Sequence, residues 1–227
     1  MMLAIVLLSG GIDSATALYW ALDKGYTVQA VTFTYQGRPD RELEAARKIA
    51  SSAGVDYLEA ELPFMKTASG ILRENAGAYA GVKVPEGYIP TRNLVFYSLA
   101  AYYAEIYSAS HIIGGHLETD CIGFPDATPK FFSAVEQLIN DFKYDSGSAT
   151  SKRISLLMPF LKKSKTDVLS LAVDLKVPLE LTWSCYYAGN MPCGKCATCL
   201  ERADAFASTG LEDPLVSDSW KSASQKA

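Results

Sequence analysis

Six residues near the amino end, Ser9-Gly10-Gly11-Ile12-Asp13-Ser14, are of types that hold an anion. Glycines let the backbone turn tightly, so that several N–H groups converge. Ser14 and its neighbours open a helix, whose first N–H groups and dipole favour negative charge. The hydroxyls of Ser9 and Ser14 add donors for phosphate oxygens, and the Asp13 carboxylate can hold Mg²⁺. The run is neither a Walker A loop, which ends in Gly-Lys-Ser/Thr, nor the Gly-x-Gly-x-x-Gly dinucleotide fingerprint. The competing reading is an ordinary glycine-rich turn with a Ser or Asp cap. The position of the run, between a first strand and its helix, favours the anion cradle.

A second constellation is Cys185, Cys193, Cys196 and Cys199. Four thiolates in a short knuckle can close a tetrahedron around Zn²⁺. Gly189-Asn190, Pro192 and Gly194 let the chain fold round the ion, and Cys196 and Cys199 face the same way at a helix entry. With all four positions filled by sulfur no site remains for water, so the metal would be structural and its binding coupled to folding. Redox-active thiols and an iron–sulfur cluster are the competing uses. The fifth cysteine, Cys121, reads as a small packed residue or a nucleophile.

Two further groups lie beyond strand ends, where open parallel sheets bind ligands. Asp120 and Asp126 flank Cys121 to Pro125 and can accept from the N–H groups of a purine-like ring, or else cap and solvate their loop. His116 beside them is a base or a hydrogen-bonded structural residue. Tyr88 to Asn93 and Lys163-Ser164-Lys165 are the basic segments. Arg92 offers a planar fork for phosphate or carboxylate, and Lys165 and Lys163 mobile charges, or simply a solvated face. Thr91 reads as an N-cap. An arginine at a helix start is unfavourable for the dipole, which points to an anion nearby.

The elements that position these residues follow from apolar spacing. Leu3 to Leu8 is a short apolar run, as in a buried parallel strand. Ser14 to Lys24 is helical and stops at Gly25; Thr27 to Thr34 is a strand; Arg41 to Ser52 is a helix closed by Gly54; Tyr57 to Leu62 is a third strand. Arg92 to Tyr107 is a long apolar helix, His111 to Gly115 a strand, Pro129 to Phe142 a helix, Ile154 to Met158 a strand. Lys165 to Leu175 and Cys199 to Ser208 complete the helices. Ala76 to Pro90 and Tyr144 to Arg153 read as loops. Alternating strands and helices predict an α/β fold with a parallel sheet and helices on both faces. The expected divisions are an α/β domain over 1–180, a cysteine-bearing helical segment over 181–216, and a flexible tail over 217–227.

Composition bounds the function. At 227 residues, with roughly 150 per domain, the chain is one domain with a small appendage. Its 21 basic and 25 acidic residues argue against a general nucleic-acid coat. The longest apolar run, Met1 to Leu8, is far below the roughly 18 residues that span a bilayer, and it lacks the basic start and cleavage pattern of a signal peptide. A cytoplasmic protein is expected, with no membrane or nucleic-acid partner. The helix from Leu94 is apolar around most of its circumference, so it is either central or covered by a second subunit. Tyr97, Tyr102, Tyr103 and Tyr107 favour an interface.

The first loop resembles the pyrophosphate loop of the N-type ATP pyrophosphatases (PP-loop enzymes). The whole set resembles one family within them, the 7-cyano-7-deazaguanine synthases of queuosine and archaeosine biosynthesis. The likeness runs from about Met2 to Pro214. It rests on Ser9 to Ser14, Tyr88 to Phe96 (YIPTRNLVF), Gly123 to Phe131 (GFPDATPKF), Pro159 to Val168 (PFLKKSKTDV) and Trp183 to Phe206 with its cysteines. Two stretches depart: His116-x3-Asp120 stands where the family carries Asn-x-x-Asp, and Ala127-Thr128 where it carries Cys-Arg. The missing arginine bears on which acid is accepted.

The resemblance implies a Rossmann-like fold of the adenine nucleotide alpha hydrolase type with a C-terminal zinc motif. It implies an ATP-dependent C–N ligase that turns 7-carboxy-7-deazaguanine and ammonia into the nitrile through an acyl adenylate and an amide. A relative that stops at the amide, or adenylates another carboxylate or a tRNA base, is the alternative; a zinc-knuckle binding module is a third. Leu8, Ser9, Gly10, Gly11, Ile12, Asp13 and Ser14 would hold ATP, with adenine against Thr32 and Phe33. Asp13, Ser14, Lys165 and Arg92 would act in catalysis; Arg92, Asn93, Asp120, Phe124 and Asp126 would meet the heterocycle. ATP, Mg²⁺ and one structural Zn²⁺ per chain are the implied cofactors, and a homodimer the implied assembly.

Overall fold

A computed structural model describes residues 2–66, 88–144, 153–187 and 189–216. The elements run β1 (Leu3–Leu7), α1 (Ile12–Asp23), β2 (Thr27–Gln36), α2 (Asp40–Ala53), β3 (Asp56–Lys66), α3 (Arg92–Ile106) and β4 (His111–Ile113). They continue with α4 (Glu118–Gly123), α5 (Pro129–Asp141), β5 (Ser155–Leu157), α6 (Lys165–Asp174) and α7 (Ala197–Thr209). Most of the two expected loops, and the tail from Ser217, lie outside the described residues.

The five strands form one parallel sheet in the order β3-β2-β1-β4-β5. The order reverses between β1 and β4, and a crevice opens there beyond the strands' carboxyl ends. Both segments that leave this point are glycine pairs. Side chains of β1 alternate between two cores. Ala4 and Val6 pack with α1, α2, α6 and α7, whereas Ile5 packs with α3 and α5. Helices therefore cover both faces, as the alternating pattern requires. Ala205 and Phe206 of α7 belong to the same core as α1, so the cysteine-bearing segment packs onto the α/β unit.

Several boundaries differ from the sequence expectation, each for a local reason. β3 continues past Leu62 to Lys66, through Pro63. It is an edge strand, where a missing N–H is tolerated. β4 stops at Ile113 because Gly114 and Gly115 turn against neighbours that leave no space for a side chain. A Cβ on Gly114 would lie 2.0 Å from the Tyr97 hydroxyl, and one on Gly115 2.6 Å from the Asp13 carbonyl. α7 begins at Ala197, with Cys196 at its N-cap position, two residues before the expected start. The stretch around Asp120 and Asp126 is not open loop but a short helix, α4, followed by a 3₁₀ turn over Pro125–Ala127. Gly54 closes α2 in the left-handed region, as expected.

Candidate active site

The loop after β1 turns its carbonyls outward. The Ser9 carbonyl accepts from Arg38 Nη2 at 2.6 Å, the Gly10 carbonyl from Trp183 N–H at 2.8 Å, and the Gly11 carbonyl from Ala15 N–H at 3.0 Å. Gly10 takes φ +96°, and a Cβ there would lie 2.3 Å from the Glu42 carbonyl. Glycine is thus required both by conformation and by the approach of α2. The Ser9 and Ser14 hydroxyls lie 2.9 Å apart; Ser14 also accepts from Ser9 N–H at 3.1 Å. The loop is tied together by its own side chains, and the first N–H groups of α1, at Ile12 and Asp13, have no intrahelical partner. Converging N–H groups at the start of a helix make an anion cradle.

Lys165 reaches this cradle from α6. Ser164 caps that helix, its hydroxyl accepting from Asp167 N–H at 3.1 Å while the Asp167 carboxylate takes the Ser164 N–H at 2.9 Å. This capping box fixes the helix start and so the root of Lys165. Its Nζ lies 2.6 Å from Asp13 Oδ2, and the lysine side chain is only 12% exposed. The other oxygen, Asp13 Oδ1, is buried and has no hydrogen-bond partner. A buried carboxylate oxygen without a donor suits a bound cation, so Asp13 fits the Mg²⁺ expected there. Lys163 does not line the crevice; its carbonyl accepts from Glu118 N–H at 3.3 Å at the start of α4.

The crevice is a cavity of about 590 Å³ that also takes in Thr32, Phe33, Arg92, Asn93 and Asp120. Leu8, Ser9, Gly11, Ile12, Asp13, Ser14 and Lys165 line it too, so most of the sequence-predicted residues are brought together. Phe124 and Asp126 are not among its lining residues. Asp126 instead reaches the start of α3: its Oδ2 accepts from Asn93 N–H at 3.1 Å, and its carbonyl from Asn93 Nδ2 at 2.9 Å. Asp126 thus supplies the anion that a helix opening on Arg92 requires. Thr91 does not cap α3. It sits at φ +53°, and its hydroxyl donates to the Pro90 carbonyl at 2.8 Å. Asp120 caps α4 through Leu117 N–H at 2.8 Å while still facing the cavity.

His116 also lines the cavity, packed against Tyr97 and Phe132. Burial, and then the Arg92 guanidinium, lower its pKa to about 4. It is neutral at pH 7, with Nδ1 3.8 Å from Asp120 Oδ2, beyond hydrogen-bond distance. Cys121 is no activated nucleophile: burial and the nearby Asp120 raise its pKa, and its thiol faces the Leu117 and Ala127 carbonyls.

Arg38, Trp183 and Glu201 also line the crevice and were not among the expected site residues. Arg38, from the turn after β2, bonds the Phe33 and Ser9 carbonyls and Glu42. Trp183 holds the Gly10 carbonyl. Glu201, one turn into α7, faces Lys165 and Asp13; burial raises its pKa. Each lies far from the loop in sequence, and only the fold brings them to it.

The second site is the cysteine cluster. The four sulfurs lie within 4.8 Å of one another, with Cys193 and Cys199 at 3.9 Å. Ligands at about 2.3 Å from a tetrahedral zinc are about 3.8 Å apart, so the cluster has the right size. Backbone N–H groups of Tyr187 and Cys193 point at Cys185 Sγ, and that of Cys196 at Cys193 Sγ. Such donors favour thiolate. Burial pushes the Cys196 thiol up, but the Thr198 hydroxyl and backbone donors outweigh it and bring the pKa down to about 6. Cys185 and Cys199 are instead pushed up, by burial first. Four adjacent thiolates need a cation among them, and the donor set fits Zn²⁺.

Residues 3–210 match the family described as queuosine biosynthesis protein QueC. The chain is 37% identical to the 7-cyano-7-deazaguanine synthase of Archaeoglobus fulgidus, over 98% of this chain and 93% of that one. It is 40% identical to the enzyme of the same name from Persephonella marina, covering 92% and 94%. A solved structure titled a predicted subunit of tRNA methyltransferase, from Methanocaldococcus jannaschii, superimposes with a TM-score of 0.51 at 20% identity, over 76% of this chain and 75% of that one. At that identity the likeness concerns the fold alone. Among the described residues no helix is long and apolar enough to cross a membrane.

Proposed function

The chain belongs to the QueC family of queuosine biosynthesis proteins, and from that premise we propose that it is an ATP-dependent ligase making 7-cyano-7-deazaguanine from 7-carboxy-7-deazaguanine and ammonia. The observation that carries the reading is the cradle: a loop with its carbonyls turned away, and a Lys165–Asp13 pair at its mouth. A carboxylate oxygen of the substrate attacks the α-phosphorus of ATP, and the bond to the β-phosphate oxygen breaks, giving acyl adenylate and pyrophosphate. Ammonia adds to the acyl carbon and AMP leaves, giving the amide and one proton. The amide oxygen then attacks a second ATP. A second pyrophosphate leaves, and loss of the second AMP and of both amide N–H protons gives the nitrile. No covalent enzyme nucleophile is needed.

The protein's part is positioning and charge. The free N–H groups at the start of α1 and the Ser9 and Ser14 hydroxyls hold the leaving pyrophosphate. Lys165 offers a cation beside Asp13 to the phosphate oxygens. Mg²⁺, held by Asp13, would supply further neutralisation of phosphate charge. Adenine lies against Thr32 and Phe33, where β2 runs on past the end of β1. There Val31 gives its carbonyl to Leu8 N–H at 2.9 Å, and Phe33, two residues on, turns the same edge to the crevice that β1 has left. Arg92 and Asp120, which line the crevice, take the carboxylate and the ring N–H groups of the heterocycle. Asp126 acts on it only through Asn93. The test is AMP and pyrophosphate release that requires both the acid and ammonia; release with neither would reject the assignment.

The same reading takes the four cysteines to hold one structural Zn²⁺, and the enzyme to be a cytoplasmic homodimer. Tyr97 cannot belong to the dimer interface, because it is fully buried in the core. Tyr102 and Ile106, at 58% and 62% exposed, form the apolar outer face of α3. Light scattering at micromolar concentration should give twice the chain mass, and Tyr102→Glu with Ile106→Glu should halve it. A monomer mass for the unaltered protein would reject the dimer; a double variant that stays dimeric would move the interface elsewhere.

A further inference from the structure

Arg38 sits between the two ends of the nucleotide site. Its Nη2 donates to the Ser9 carbonyl at 2.6 Å, its Nη1 to the Phe33 carbonyl, and its Nε to Glu42 Oε2 at 3.2 Å. The side chain is only 4% exposed. A guanidinium is planar, with donors in a fixed fork, so acceptors on all three of its nitrogens define its position. We infer that Arg38 is a positioning residue for the pyrophosphate loop, setting the direction of the loop's N–H groups and tying the loop to the strand that faces adenine.

A peptide unit is planar and trans, so its C=O and N–H point in opposite directions. Holding the Ser9 carbonyl against Arg38 therefore turns the Gly10 N–H, in the same plane, away from Arg38. Gly10 itself, at φ +96°, has little steric restraint of its own. An outside contact must therefore select the peptide orientation. The Gly10 carbonyl is held in turn by Trp183 N–H. The two contacts come from distant parts of the chain, and together they fix both peptides that flank Gly10. Arg38 also bonds Phe33, a strand residue whose polar edge faces the crevice, so it ties the loop to that edge. Glu42 balances the charge, which leaves Arg38 a poor direct partner for phosphate. Its role lies behind the loop.

This inference rests on the ligase reading for its substrate, but not for its test. Binding of magnesium pyrophosphate is measured by calorimetry on the unaltered chain, Arg38→Ala and Arg38→Lys, with steady-state kinetics for ATP and for the acid. Arg38→Ala is expected to weaken pyrophosphate binding and raise KM for ATP at least tenfold, leaving KM for the acid within twofold. Methylguanidinium at millimolar concentration should restore part of the pyrophosphate affinity to Arg38→Ala, which a general loss of structure would not allow. Arg38→Lys, with a charge but no fork, should bind less well than the unaltered chain. Pyrophosphate affinity within twofold in a folded Arg38→Ala would overturn the inference. So would failure of both variants to fold, which would make Arg38 a framework residue. An unaltered chain that binds pyrophosphate but does not consume the acid would overturn the ligase reading and not this one.

Discussion

Asp13→Asn is expected to lower ATP cleavage by at least 100-fold while leaving the fold intact. The carboxylate has two distinct duties. Oδ2 pairs with Lys165 Nζ at 2.6 Å, and Oδ1 is buried without a donor. An amide of the same size cannot do both. It removes the charge that holds Lys165, and it presents N–H to either the lysine or the metal position. Removing one preorganised group from a charge-stabilising site costs about 10²–10³ in rate, and here two interactions go together. Ser9→Ala should also be severe. It breaks the 2.9 Å contact with the Ser14 hydroxyl and the weak bond from Gly11 N–H, which leaves the loop less tightly tied. The measurement is the rate of AMP formation at saturating ATP, alongside a thermal midpoint. Turnover of Asp13→Asn equal to that of the unaltered chain would remove Asp13 from the metal assignment.

The second large effect is on stability. Single Cys→Ser changes at Cys185, Cys193, Cys196 or Cys199 should lower the thermal midpoint by about 6–12 °C, taking a loss of about 3 kcal/mol for a chain of this length. That loss is a fraction of the roughly 10–16 kcal/mol that structural zinc contributes at such sites. The cysteine sulfurs lie within 4.8 Å of one another, and Cys185, Cys196 and Cys199 are buried in the same core as α1. Loss of the metal would therefore loosen the packing beneath the first loop. The Trp183 N–H that holds Gly10 stands two residues from Cys185. Chelation should lower the midpoint in the same direction, and metal analysis should give one zinc per chain. Less than half a zinc in metal-replete protein, with no other metal present, would reject the assignment.

The sheet was legible because parallel strands buried on both faces read as short apolar runs, and Gly25 and Gly54 mark the helix ends. The cradle was legible because local spacing carries it: Ser9 to Ser14 are contiguous. What could not be read lies in contacts between distant segments. Arg38 resembles any charged residue in a turn until β2 delivers it to Ser9. Asp126 attracts attention as a carboxylate beyond a strand, yet folding spends one of its oxygens on Asn93 N–H, 33 residues away in sequence. Thr91 has the composition of an N-cap, but the Pro90 carbonyl takes its hydroxyl and the distant Asp126 does the capping. α4 was missed because its six residues are too few for periodicity to show.

In the proposed reaction one site activates two different oxygens of one carbon in succession. Substrate labelled with ¹⁸O in both carboxylate positions tests it directly, with ammonia and ATP supplied and the products read by mass spectrometry. Each adenylation moves one substrate oxygen onto AMP. Two AMP per acid, each carrying one ¹⁸O, and an unlabelled nitrile product are expected. Unlabelled AMP, or label in inorganic phosphate, would contradict the adenylation chemistry. One labelled AMP per acid, with the second ¹⁸O retained in an accumulating amide, would contradict the second activation.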